Sequence, residues 1–231
     1  MRKKDNKKGY TMPQSATLEA IKAYQKQLGK GKIKPDDLPP CSRCELEAVH
    51  FKEHAFRERI FLVIIEMIIQ TINCSLLRFK CPGCGKTVTW YPEFAIPYKR
   101  YTVSTVIDFS EAYVKNIKKT YETARRLDLK YPAYPEDGKM LAPSSIHRFI
   151  TSLSGLENIK SRAIELILQK DPVSGICRKL GQIEINRQKY KSERRKDQLT
   201  MCLGFLNIAE TFERVFGLSV FTNLARREAF R

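Results

Sequence analysis

Two Cys-x-x-Cys pairs constrain this chain more than any other feature. They are Cys41-Ser42-Arg43-Cys44 and Cys81-Pro82-Gly83-Cys84, the second followed by Gly85. Each pair wraps a tight turn that aims two thiolates at one point. Two such turns brought together give a closed tetrahedral site with Cys41, Cys44, Cys81 and Cys84 as ligands. Pro82 presets the second turn, Gly83 is free to take the positive φ of the knuckle, and Gly85 frees backbone N–H groups to face the sulfurs. Four thiolates in this pattern point to one structural zinc ion. A redox dithiol is the competing reading, but that chemistry uses a single pair on a strand-to-helix turn. His50 and His54 lie between the pairs and are surplus to a tetrahedron that four cysteines already close.

The charge balance bounds the partner. The 231 residues carry 42 Lys and Arg against 25 Asp and Glu, a formal net charge of +17. Such a charge repels itself unless it meets a polyanion, so nucleic acid is the expected partner, with an anionic membrane surface or an acidic protein as alternatives. Of the seven cysteines, Cys74, Cys177 and Cys202 remain outside the metal site, an odd number in apolar sequence. They are expected to be small buried hydrophobes in a reducing compartment rather than a disulfide framework. No apolar stretch follows the basic Met1–Lys8, so it is not read as a secretory signal. The most apolar run, Ile60–Ile69, carries Glu66 and is far short of the about 20 residues a bilayer requires. A soluble intracellular protein is expected, with no membrane partner.

An α+β organisation follows: a basic N-terminal arm with a short helix (1–40), a small four-cysteine ribbon of antiparallel strands (41–100), and a mostly helical domain with a helix-turn-helix-like segment (101–231). Residues 1–14 are polar and patternless, an expected disordered arm. Leu18, Ile21, Tyr24 and Leu28 have helical spacing, which predicts a helix over about 17–28. Ile60–Ile65 is β-branched and aromatic, and Ile72–Phe79 is a second apolar run that would deliver Cys81 to the metal. No Asn-Gly or Gly-Gly marks a turn between them, and a buried helix through Val63–Ile72 is the competing reading.

The run Arg78-Phe79-Lys80-Cys81-Pro82-Gly83-Cys84-Gly85-Lys86-Thr87-Val88-Thr89-Trp90-Tyr91-Pro92, with Pro97-Tyr98-Lys99-Arg100-Tyr101 after it, resembles the zinc-ribbon segment of bacterial insertion-sequence transposases and of small proteins encoded beside mobile elements. His54-Ala55-Phe56-Arg57-Glu58-Arg59 is similar to that family's His-Gly-aromatic-x-Arg strand, with Ala55 in place of glycine. The resemblance covers roughly 41–101, with a weaker echo at 143–152. It implies a ribbon and a following helix-turn-helix that bind element DNA in the bacterial cytoplasm, near the nucleoid, with a transposase as a possible partner.

Beyond Tyr101 the apolar spacing is helical. Val103, Val106, Ile107, Ala112, Val114 and Ile117 predict a helix to about Lys119, capped by Thr102 or Ser104. Pro132, Pro135 and Gly138 make 130–138 a loop. Pro143-Ser144-Ser145 then starts a helix, with Ser capping, that buries Ile146, Phe149, Ile150 and Leu153. Its other face carries Ser144, Ser145, His147, Arg148, Thr151 and Ser152, the profile of a recognition helix; Arg148 is placed to reach guanine or phosphate. A further helix is expected over 156–169, broken by Asp171-Pro172. One or two long helices follow over 176–215, their basic middle holding Lys189, Arg194 and Arg195, and a last short helix lies near 221–230 and is a possible dimer contact. Phosphate contacts are expected from Arg78, Lys80, Lys86, Lys99, Arg100, Lys189, Arg194 and Arg195.

No catalytic grouping is visible. Asp108, Asp128, Asp137, Asp171 and Asp197 are not set on the mixed sheet that a two-metal transposase requires, and no phosphate loop or nucleophile motif occurs. The expectation is a zinc-dependent, duplex-DNA-binding protein that is not an enzyme. An RNA-binding ribbon protein, with Trp90 and Tyr91 as stacking groups, and a nuclease with unrecognised acidic residues are the alternatives.

Overall fold

A computed structural model describes residues 13–65, 68–126 and 139–221. Helix α1 (Pro13–Gly29) precedes a three-stranded antiparallel sheet of β1 (Lys52–Ile65), β2 (Ile68–Lys80) and β3 (Thr87–Thr89), in that spatial order. Helices α2 (Val103–Val114), α3 (Tyr121–Ala124), α4 (Pro143–Ser154), α5 (Glu157–Lys170), α6 (Ile176–Gly181) and α7 (Glu193–Phe216) follow. The protein is thus mixed, with strands and most helices segregated along the chain.

The long hairpin ties the molecule together. β1 and β2 pair from Lys52 opposite Lys80 to Ile65 opposite Ile68, interrupted by a bulge between Glu53 and Ala55. Strands of 14 and 13 residues span on the order of 45 Å. The competing helix through Val63–Ile72 is therefore not formed where the chain is described: the β-branched, cross-strand neighbours Val63, Ile64, Ile65, Ile68 and Ile69 favour the pleat. Residues 66 and 67, at the turn, lie outside the described residues.

The hairpin contributes to two cores, and toward its tip its two faces divide between them, Val63 and Ile65 on one side and Ile64 and Ile69 on the other. Near the knuckles, Phe61, Leu76, Leu77 and Phe79 are buried with Ile21, Tyr24 and Phe94. Helix α1 closes this cluster. Its Tyr24 ring stacks on Trp90 at 5.6 Å and 3° and meets Phe94 edge-on, while Gln25 Nε2 donates to Cys74 Sγ at 3.0 Å and to the Ser75 carbonyl at 3.3 Å. At the far end, Ile64 joins a second cluster built on Ile146, Phe149, Ile150, Phe205 and Phe212. There the Ile69 N–H donates to the Lys139 carbonyl at 2.8 Å.

Several expectations change. Helix α1 begins at Pro13, so Pro13 and Gln14 are helical; residues 1–12 lie outside the described residues. Helix α2 stops at Val114 rather than Lys119, and Thr102 holds its N-cap position without accepting a backbone N–H, its hydroxyl pairing instead with that of Thr105 at 3.0 Å. Thr120 restarts the chain in α3 through a capping box with Thr123. Ala142, not serine, caps α4, with Pro143 at its first turn. The loop expected over 130–138 and the last helix near 221–230 fall almost wholly on 127–138 and 222–231, outside the described residues. The basic segment is not one helix. Residues 182–192 are irregular apart from a 3-10 turn at Arg187–Lys189, and α7 starts only after Ser192, whose hydroxyl accepts from the Arg195 N–H. Gly217, at φ 68°, ends α7. Cys74 and Cys202 are buried, but Cys177 is exposed at the start of the short α6.

Candidate metal centre and cationic face

The two knuckles are built alike. In the first, the Cys41 N–H donates to the Leu46 carbonyl at 2.9 Å and the Glu45 N–H to the Cys41 carbonyl at 2.8 Å. In the second, Cys81 donates to Lys86 at 2.8 Å and Gly85 to Cys81 at 2.9 Å. This ring forces the fifth residue into the left-handed region: Glu45 has φ 59° and Gly85 has φ 74°. Gly83, expected to take positive φ, does not. A Cβ there would meet Cys44 Sγ at 3.4 Å, an ordinary contact, so packing does not demand glycine either.

The four sulfurs converge. All lie within 4.8 Å of one another, with Cys41 to Cys84 at 3.4 Å and Cys44 to Cys81 at 3.5 Å. A tetrahedral ion with metal–sulfur bonds of about 2.3 Å sets sulfurs about 3.8 Å apart, so the donor set fits a four-thiolate ion. The thiols feel one another strongly. Burial raises Cys41, but the N–H groups of Arg43 and Cys44 and the Cys84 thiol outweigh it and leave it at about 6. The Leu46 N–H pulls Cys44 down, and the sulfurs of Cys81, Cys84 and Cys41 push it up to about 12. Four sulfurs at this spacing repel once ionised, and a bound cation relieves that repulsion. His50 and His54 are exposed and outside this cluster.

Beside the second knuckle lies a cationic hollow of about 370 Å³, whose walls include Arg57, Arg78, Lys86, Tyr91 and Tyr98. The Lys86 ammonium donates to Ser42 Oγ at 2.5 Å, and the Arg78 guanidinium donates to Thr87, so both knuckles and β3 share the wall. A second, shallower hollow of about 560 Å³ lies along β1, walled by Arg57, Arg59, Arg100 and Tyr98 among others. Arg59 braces it: Nη1 donates to the Tyr91 hydroxyl at 3.2 Å, Nη2 to the Lys99 carbonyl at 2.8 Å, and the guanidinium sits 5.6 Å from the Tyr91 ring centre. Lys80, Lys99 and Arg100 are exposed. Arg57 and Arg59 were not singled out among the expected contacts, Tyr98 entered only as part of the Tyr98–Tyr101 step, and Tyr91 only as a stacking group of the RNA-binding alternative. The available signal was the period of two that places Arg57 and Arg59 on one side of β1.

Helix α4 carries its expected residues unevenly. Ile146, Phe149, Ile150 and Leu153 are buried; Ser144, His147, Arg148 and Thr151 are exposed. Ser145 is buried and bonded to Tyr101, so it faces inward. Tyr101 meets Phe149 edge-on at 5.0 Å, and the Arg148 charge favours its ionised form, though burial holds its hydroxyl above the usual range. Burial, then Arg195, lowers His147, whose ring lies against Tyr121. Two of the expected phosphate contacts are tied down. Arg195 donates to the Tyr121 hydroxyl and to Gln198 at 3.0 Å, and Lys189 donates to the Lys119 carbonyl with its ammonium 4.2 Å from the Tyr113 ring centre. Arg194 stays exposed. No helix of the described residues is long and apolar enough to cross a membrane.

No protein-family model, curated protein or solved structure matches this chain.

Proposed function

We propose that this protein binds duplex DNA and that one zinc ion at Cys41, Cys44, Cys81 and Cys84 sets its ribbon. The supporting observation is the alignment of cations. Lys86, Arg78 and Arg57 wall one hollow, Arg57, Arg59 and Arg100 the next, and Tyr101 then abuts α4, where Arg148 lies. Phosphates need such a strip, and the exposed Ser144, His147, Arg148 and Thr151 of α4 supply hydrogen-bonding groups of the kind that read base edges. Residues 127–138, between α3 and α4, lie outside the described residues, and the short turn at Gly155-Leu156 follows α4 instead of preceding it, so the reading role proposed for α4 rests on its exposed polar residues.

The resemblance of the ribbon supplies the setting: a mobile element, with this chain as accessory factor, regulator or transposase-derived protein lacking the catalytic domain. Arg148→Ala is expected to relax sequence preference by about 1–3 kcal/mol at one base pair, while Lys99→Ala and Arg100→Ala weaken all duplexes alike. Selection of bound sequences from a random duplex pool measures both. Identical preferences before and after Arg148→Ala would overturn the assignment of α4.

A further inference from the structure

Duplex phosphates need cations; they do not need Tyr98. This residue is 81% exposed and has φ 64°. A bulky side chain rarely adopts that backbone, which glycine would take without strain. Little packing accounts for it: at that exposure, its one ring contact among the described residues is to Tyr91, at 6.4 Å and 54°. Strain kept at an exposed aromatic is characteristic of a functional position. Tyr98 also stands where the two cationic hollows meet, with Arg57 common to both. Arg59 fixes the neighbouring Tyr91 and the Lys99 carbonyl, so the segment presenting Tyr98 is braced from β1.

We infer that Tyr98 is a stacking platform for an unpaired base, with the backbone of a single nucleic-acid strand lying along the cations on either side. In a duplex the base faces are covered by their neighbours, so a projecting ring between cations matches an unpaired strand. The inference shares the nucleic-acid reading above but not its use of α4.

The test is fluorescence anisotropy with the full, metal-loaded chain and labelled oligo(dT) or oligo(U) of about 12 nucleotides, beside a blunt duplex of the same length. Tyr98→Gly is expected to weaken single-strand binding roughly 5- to 150-fold and to leave duplex binding within about twofold, with no loss of melting temperature. Tyr98→Phe keeps the stacking face and is expected to bind like the parent. Binding of either strand through Tyr98 supports the platform. Single-strand binding unchanged in Tyr98→Gly, or none at all beside tight duplex binding, overturns it. Tyr98-dependent strand binding with no duplex binding would instead overturn the duplex reading and leave the platform standing.

Discussion

The ribbon half and the helical half meet on one hairpin but are held by different forces. The helical half buries Phe205, Phe212, Ile146 and Ile150 completely, and its helices pack on one another. The four-cysteine half has a short β3 and one closing helix, and its knuckles are stretches of turn whose buried cysteines, Cys41 and Cys81, lie in a cluster with Leu38, Ala48 and Phe51. Four thiolates held this close repel once ionised, so an ion bound there would add folding free energy that the helical half does not need. The comparison teaches that one half should depend on an ion and the other on close packing.

Removing the metal should give the largest effect. Chelation, or Cys81→Ser, is expected to cost the ribbon on the order of 10 kcal/mol of folding free energy. Hydrogen exchange should then become fast at 41–46 and 81–89 while α4, α5 and α7 keep their protection. Simultaneous loss of protection in α7 would break the comparison. The reciprocal change is Phe205→Ala, which opens a cavity between helices. It should cost about 3–5 kcal/mol in a melt of the helical half and leave bound metal, measured by mass spectrometry, unchanged.

The halves should also answer pH with opposite signs. Burial, with Glu111 beside it, raises the Asp108 carboxyl of α2 from 3.8 to about 7. Its folded value exceeds its unfolded one, so its contribution is complete below about 4 and lost as pH rises through about 7. Asp108→Asn should therefore stabilise the helical half at pH 8, on the order of 2 kcal/mol, and change little at pH 4. The ribbon should behave the other way, because protons displace a metal from thiolates as pH falls. Melting curves beside metal release across this range check both.

The smallest effect compares the two knuckles. Glu45 and Gly85 occupy the same left-handed position, and only glycine is at ease there. Gly85→Ala should weaken metal retention by about 1 kcal/mol and Glu45→Gly should strengthen it by a similar amount, read by competition with a chelator.

What was legible in the sequence follows local chemistry. The cysteine spacing defined the four-sulfur cluster because each knuckle is closed within six residues. The apolar spacing of Ile146, Phe149, Ile150 and Leu153 placed α4 and its buried face for the same reason. The length of the hairpin was not legible, because Lys52–Arg59 is charged and mostly exposed and pairs only because β2 lies beside it. Lys189 and Arg195 looked like phosphate contacts because a sequence shows charge but not the distant Tyr113 and Tyr121 rings that hold them. The cationic face itself joins β1, β3 and the 97–101 segment, which no local window contains.

The most direct measurement is duplex-DNA affinity over a salt series, with and without a chelator. The account predicts that log K falls steeply and linearly with log salt for the metal-loaded protein, as several phosphates are neutralised. Chelation should reduce both affinity and slope, because the ribbon cations lose their alignment while those of α4 remain. Salt-independent binding, or no binding in either state, would contradict it.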